Sequence, residues 1–127
     1  MASTSTDRVR GVNAGKAIKV PCKVASTVNL TLSGEQTIDG VSCTAGDRVL
    51  VKNQNEAEEN GIYEVATSEW RRTPDWDGET DVTQGTQVNV NQGTVGANTI
   101  WNVSTEDPIS PGTTAVSYTH LTLPTMQ

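Results

Sequence analysis

The sequence predicts a small all-β domain, a sandwich or barrel of about eight or nine short strands. Short runs of β-branched and aromatic residues recur along the chain, as strands require. Turn dipeptides separate these runs, among them Ser33-Gly34, Asp39-Gly40 and Asn60-Gly61. No segment has the 3.6-residue periodicity of a long helix. With 127 residues, the chain is about the length of one domain.

Nine runs are predicted as strands. In chain order they are Ile18–Ala25, Val28–Leu32, Gln36–Ile38, Arg48–Lys52, Ile62–Ala66, Glu69–Arg72, Thr86–Val90, Thr99–Val103 and a last run near Ala115–Tyr118. The chain contains no Phe, so the core is expected to consist of Val, Ile and Leu together with the three tryptophans, Trp70, Trp76 and Trp101.

The polar segment between two of these strands predicts one helical turn near residues 55–60. Asn55 and Glu58 have the spacing of a helix N-cap and its reciprocal acidic partner. Asn60-Gly61 supplies residues that tolerate positive φ and so end the turn. After it, Ile62 to Val65 alternates as a half-buried strand does. We therefore interpret the segment as a link between two strands.

The domain boundaries follow from composition. Residues 1–16 are rich in Ser, Thr, Gly and charge and are predicted to be a flexible arm, followed by a β domain over 17–118 and a tail over 119–127. The net charge is −6 and the cations are scattered, which disfavours nucleic-acid binding. No apolar run approaches the roughly 18 residues that span a bilayer, and the N-terminus lacks the apolar part of a secretory signal. We expect a cytoplasmic origin and no membrane insertion.

Cys22 and Cys43 each lie in a strand-like run. In a reducing compartment, small buried thiols are the ordinary state of such residues, and a disulfide is the less common one. There is no C-x-x-C, so the sequence has no metal or redox motif of that kind. Both cysteines are predicted to be free.

Carboxylates at alternate positions form the densest acidic cluster, which consists of Asp75, Asp77, Glu79 and Asp81. Calcium loops also place ligands at every second residue. The glycine comes fourth here rather than sixth, and no bidentate glutamate closes the loop. A solvated loop that protects a sheet edge explains the cluster equally well. We predict no metal site, and these four residues are the calcium candidates to examine.

Trp76 lies within the same loop, where an exposed indole could stack on a sugar. The neighbouring acids could also be read as a glycosidase carboxylate pair, although a chain with fifteen acids offers many such pairs. The single histidine is His120, and neither a G-x-S-x-G elbow nor a phosphate-binding loop occurs. We predict no catalytic residue and no cofactor.

Four runs of the sequence resemble a domain of tailed-bacteriophage tail fibres and tailspikes. They are VASTVNLTLSGEQTIDGV, AGDRVLVKNQNEAEENGIYEV, WRRTPDWDG and GTQVNVNQGTVGANTIWNV, and the resemblance covers about Lys19 to Ala115. It implies a β-rich, trimeric virion module for attachment, joining or display, and it supplies no catalytic residues. Residues 116–125 resemble a translated sequencing adapter, which implies that His120 is not a native residue.

The resemblance implies a non-catalytic structural module of a phage tail that mediates virion assembly or host attachment. Its expected partners are other tail proteins, further copies of the chain in a homotrimer and a host surface glycan. We expect synthesis in the bacterial cytoplasm and a final location in the virion. The alternative is a carbohydrate-binding receptor-recognition domain that uses Trp76, and a glycan depolymerase with an additional domain comes third.

Overall fold

The computed structural model of the chain describes residues 18–78, 81–106 and 109–121, and its all-β class confirms the prediction. Nine strands in these residues form three sheets. The strands are β1 (Val24–Ala25), β2 (Gln36–Ile38), β3 (Val41–Cys43), β4 (Arg48–Val51), β5 (Gly61–Glu64), β6 (Arg71–Arg72), β7 (Gln87–Val90), β8 (Thr99–Val103) and β9 (Tyr118–Leu121).

The largest sheet has four strands in the order β1-β4-β5-β6. Strands β4 and β5 pair antiparallel over their whole length, and Leu50 lies opposite Ile62. β6 extends the antiparallel pairing on one side, whereas β1 runs parallel to β4 on the other. The pair β4–β5 is therefore the interior of this sheet.

The other two sheets are an antiparallel hairpin, β2–β3, and an antiparallel meander, β7-β8-β9. The hairpin turn is the two-residue loop Asp39-Gly40, with φ of 50° and 82°. Both angles are positive, as a type I′ turn requires. The Asp39 carboxylate accepts hydrogen bonds from the backbone N–H groups of Val95 (3.1 Å) and Gly96 (2.9 Å), which attaches the hairpin to the loop after β7.

Residues 18–26 form a seam between the largest sheet and the meander. On one side, the backbone N–H of Lys19 donates to Gln87 and that of Cys22 donates to Asn89, at 2.9 and 2.8 Å. On the other side, the N–H groups of Lys23 and Ser26 donate to carbonyl oxygens of β4 at 2.8 and 2.9 Å. One extended segment therefore joins the two sheets through its backbone.

Buried side chains form two clusters, one against each face of the β4–β5 pair. Leu50 and Ile62 belong to the first cluster, and the second contains Val49, Val51 and Tyr63. A strand buried on both faces requires an apolar residue at nearly every position, which explains the run RVLV. The half-buried alternation predicted for Ile62 to Val65 is therefore wrong, because Glu64 alone is exposed in β5.

Several predicted strands differ from those observed. Val28–Leu32 is not a strand, and the Val28 side chain is 61% exposed. The Gln54 side chain both donates to and accepts from the Leu30 backbone, at 3.0 and 2.8 Å, so this backbone does not need a strand partner. Strand β3 was not predicted, and the run near Ala115–Tyr118 is displaced to β9.

The helical turn near 55–60 is observed as one turn of 3-10 helix over Ala57–Glu59. Its predicted cap is wrong, because Glu56 occupies the N-cap position and makes no side-chain capping hydrogen bond. Asn60 has a φ of −64°, so positive φ at Asn60 does not end the turn. A second 3-10 turn, Pro74–Trp76, was not predicted.

Both cysteines are free and buried, which confirms their prediction. Cys22 lies in the first core cluster and Cys43 in the second, so the β4–β5 pair separates them. Burial raises the pKa of the Cys22 thiol from 9.0 to about 12. It also raises the pKa of the Cys43 thiol.

The native protein is expected to resist thiol reagents near neutral pH, because both sulfur atoms are buried and protonated. In denaturant, Cys22 and Cys43 should both react, and the intact mass should equal that of the two-thiol chain. A mass lower by two hydrogens would contradict this.

The raised pKa of Cys22 also makes the free energy of unfolding depend on pH. The thiol has a pKa of 9.0 in the unfolded chain and about 12 in the folded one. Its contribution to the free energy of unfolding is therefore fully present below about pH 9 and is lost as the pH rises toward about 12.

Candidate functional site

The acidic loop predicted from the sequence is attached to the largest sheet by an ion pair. Both guanidinium NH groups of Arg48 donate to the Asp75 carboxylate, at 3.0 and 2.6 Å. The Thr73 hydroxyl donates to the same carboxylate at 2.7 Å. The two side chains are 18% and 30% exposed, so the pair is only partly screened by water.

The Asp75 environment contains opposing electrostatic effects. Burial raises the pKa of Asp75, but the hydrogen bonds from Arg48 and Thr73, with the Arg48 charge, outweigh burial and lower the pKa below 3.8. The carboxylate is therefore ionised throughout the neutral range and accepts three hydrogen bonds from internal donors. Its contacts are those of a structural ion pair.

Among the remaining calcium candidates, the structure describes internal contacts for the Asp81 carboxylate, and Asp77 is exposed. One Asp81 carboxylate oxygen accepts from the backbone N–H groups of Asp77 (3.1 Å) and Gly78 (2.9 Å), which closes the loop on itself. Glu79 lies outside the described residues. Across the part of the chain that the structure describes, no three His, Cys, Asp or Glu side chains are grouped to hold a metal ion.

Trp76 is 0% exposed, so the hypothesis that it is a sugar-stacking platform is wrong. The 3-10 turn carries the indole into the first core cluster, where it stacks on Tyr118 at a centroid distance of 6.1 Å. Trp70 is also buried, and Trp101 packs half-buried against the core. The prediction that the tryptophans belong to the core is confirmed for Trp70 and Trp76.

The connection between β4 and β5 is held by polar side chains bonded to backbone. Asn60 is buried; it accepts from the Gln54 N–H at 3.0 Å and donates to the Val116 carbonyl at 2.8 Å. Arg72 donates to the carbonyls of Glu58 (2.9 Å) and Asn60 (3.1 Å), where the turn ends. These side chains replace backbone partners that a buried connection lacks.

Gly61 begins β5 directly beneath the Trp76 indole. A Cβ at this position would lie 2.9 Å from two atoms of the indole ring and closer still to the Arg72 guanidinium. The close approach of the ring to the backbone therefore requires glycine. The Trp76 indole N–H and the Tyr118 hydroxyl are buried without a hydrogen-bond partner among the described residues.

An aromatic group lies at one side of the meander. The Lys52 ammonium is 4.2 Å from the centre of the Trp101 ring, and His120 stacks on the same indole at 4.8 Å. Burial lowers the pKa of Lys52. Lys52 also donates to the Asn53 side chain at 3.0 Å, so its ammonium already has partners. Lys52, Trp101 and His120 therefore pack against one another, and this contact gives His120 no acid–base partner.

The described residues form at least two surface hollows. One, about 290 Å³, is lined by Glu64, Val65, Ala66, Ser68, Glu69 and Arg71. The other, about 190 Å³, is lined by Asn89, Val90, Asn91, Asn98, Thr99 and Ile100. The first carries charges of both signs and the second carries none. We call the second the amide hollow.

Sequence reasoning did not single out the amide hollow. The available signal was the run QVNVN in and after β7, which places an amide at every second position. Alternate residues of a strand share a face, so the run predicts one apolar face and one amide-bearing face. The approach of Asn98 from the next strand depends on the loop that joins β7 and β8, which this pattern does not specify.

Compared with known protein families, curated proteins and solved structures, the chain matches none of them. The two 3-10 turns that the structure describes are far too short to cross a membrane as helices.

Replacing Gly61 with Ala is expected to lower the free energy of unfolding by about 2 kcal/mol, because the new methyl group overlaps the Trp76 indole. Gly78→Ala is the matched control, since a Cβ there meets only the Asp81 carboxylate at 3.5 Å. Denaturant unfolding measures both variants. Equal stability of the two would contradict the close approach at Gly61.

Replacing Asp75 with Asn should destabilise the protein at neutral pH, because Arg48 keeps its charge and loses its ionic partner. The lowered pKa of Asp75 stabilises the wild type above about pH 4, and this contribution is lost as the pH falls through the folded-state pKa. Asp75→Asn should therefore approach wild-type stability in acid. Asp77→Asn, at an exposed position, should remain within about 0.5 kcal/mol of wild type throughout. A constant difference between Asp75→Asn and wild type from pH 7 to 3 would contradict the ion pair.

Proposed function

We propose that the chain is a non-catalytic structural module of a bacteriophage tail, of the tail fibre or tailspike kind, which serves virion assembly or host attachment. The support begins with the resemblance of four runs, in order and spacing, to domains of such proteins. The strongest of these motifs are GDRVLVKNQ and NGIYEV, at residues 46–54 and 60–65.

The observation that carries the proposal is that most polar residues of these two motifs bond to the chain itself. Asp47 accepts from the Thr44 N–H (2.8 Å) and from Lys23 (3.0 Å). The Tyr63 hydroxyl donates to the Glu59 carbonyl at 2.6 Å. Arg48, Gln54 and Asn60 make the internal contacts described above. Motif residues that maintain a fold are expected of a structural module, whereas an enzyme needs some directed at a substrate.

A homotrimer is part of the proposal. Among the described residues, four large apolar side chains are exposed on the single chain: Ile18, Val20, Val28 and Val95. A domain of this size with no disulfide between its described cysteines has a modest core, and association around a closed symmetry axis covers apolar surface that a monomer exposes. The proposed partners are other copies of the chain and neighbouring tail proteins, with synthesis in the bacterial cytoplasm before assembly into the virion.

Light scattering coupled to size exclusion should give about three times the 13.5 kDa mass of one chain. The double variant Val28→Ser, Val95→Ser should shift the mass toward one chain if these side chains are covered in the trimer. Thr27→Ser with Ala97→Ser is the control, because it changes exposed neighbours without removing large apolar groups. A wild-type monomer at all concentrations would contradict the trimeric module.

Tail genes beside the gene for this chain would support the virion role, and their absence would count against it.

A further inference from the structure

The outer face of the meander carries amides and no charge. Val88 and Val90 of β7 are buried, so the alternate residues Gln87 and Asn89 point to the opposite face. Their cross-strand partners in β8 are Asn102 and Ile100. The other described positions of this face are also uncharged, namely Ile18, Asn91 and Thr119. In a chain of net charge −6, this face is suited to a neutral partner.

The amide hollow lies at one end of this face. Val90 pairs with Thr99, and the next step of the register brings Asn91 toward Asn98. Asn89 and Ile100 form the adjacent pair. Three asparagines and an isoleucine are therefore among the residues that line an open hollow of about 190 Å³.

Some asparagines of the fold are bonded internally, whereas the three amides of the hollow, like Asn102 on the same face, have no internal partner among the described residues. The side chains of Asn29 and Asn60 accept from backbone N–H groups, at 2.7 and 3.0 Å. Within the described residues, Asn89, Asn91 and Asn98 make no side-chain hydrogen bond. These amides are available to a ligand.

Backbone conformation accounts for one of these asparagines but not for the other two. Asn98 has a φ of 60°, a left-handed conformation that Asn tolerates better than most residues. Asn89 lies in β7 and Asn91 follows it, and neither has positive φ. A strand disfavours Asn, so Asn89 is placed against local propensity. Because backbone conformation does not explain Asn89 and Asn91, these two residues are the ones that indicate a ligand.

We propose that the amide hollow binds a neutral sugar residue. Each side-chain amide offers two donors and an acceptor oxygen, a combination that matches adjacent hydroxyl groups, each of which donates and accepts. Ile100 offers an apolar surface to the C–H groups of a sugar ring. The hollow is smaller than the roughly 300–1,000 Å³ of pockets that enclose drug-sized ligands, so it suits one ring of a longer glycan.

The absence of charge separates this site from the larger hollow. That hollow is lined by two acidic residues and one basic residue, Glu64, Glu69 and Arg71, which suit a charged ligand better than a neutral one. Sugar binding at this hollow requires neither a trimer nor a place in the virion. The three asparagines are exposed or half-buried, whereas Trp76 is buried.

The test is saturation-transfer NMR of the whole chain with four neutral sugars: glucose, galactose, mannose and N-acetylglucosamine. At least one should receive saturation and titrate with a Kd of about 1 mM, as expected for one small ring in a shallow site. The double variant Asn89→Ala, Asn91→Ala should weaken binding about tenfold or more. Asn102→Ala removes the same group from the same face outside the hollow and should change Kd by less than about twofold.

Circular dichroism and thermal unfolding should show that both variants keep the wild-type fold, which the exposed or half-buried positions of the three asparagines lead us to expect. Absence of saturation transfer to all four sugars would overturn the proposal. Equal weakening by the double variant and by Asn102→Ala would overturn it as well. Sugar binding can be measured on this chain whether the chain is a monomer or a trimer. A negative result would therefore contradict the sugar site without contradicting the tail-module proposal.

Discussion

Burial of the β4–β5 pair on both faces is the constraint on which the rest of the structure depends. A two-stranded ribbon can be covered on both sides only if separate parts of the chain pack against each side. Trp76, Val88 and Val103 cover one face, and Ile38 with Trp70 covers the other. The hairpin, the meander and the acidic loop are placed where they bury the two faces of the β4–β5 pair.

The same burial determines where the polar residues lie. A buried strand pair needs a connection whose backbone groups are satisfied without water. Gln54, Asn60 and Arg72 meet this need with side chains rather than with regular secondary structure. The Arg48–Asp75 pair closes the other end of β4. The polar composition of this region, which a sequence reader could take for a site, follows from the demands of its core.

The fold class and the position of β4, β7 and β8 could be predicted because local pattern and burial agree there. Val28–Leu32 has strand-like alternation, but a distant glutamine satisfies the backbone of Leu30, and no local pattern reports that contact. The Asp39-Gly40 turn was recognised, yet the short strand after it is only three residues long and includes a serine. Trp76 lies in a polar loop by composition and in the core by structure. The amide hollow needed a cross-strand register that sequence alone does not supply.

The seam at residues 18–26 has a consequence for how the chain folds. β4 and β5 adjoin in sequence and can pair as soon as their short connection closes. Ile18 instead pairs with Gln87, 69 residues later, and β1 pairs in parallel with β4 across the whole β2–β3 hairpin. Loop closure of that length is entropically costly before its contacts form, and pairings distant in sequence slow folding. The first described residues of the chain are therefore expected to pair late in folding, and the backbone link between the two sheets forms only when they pair.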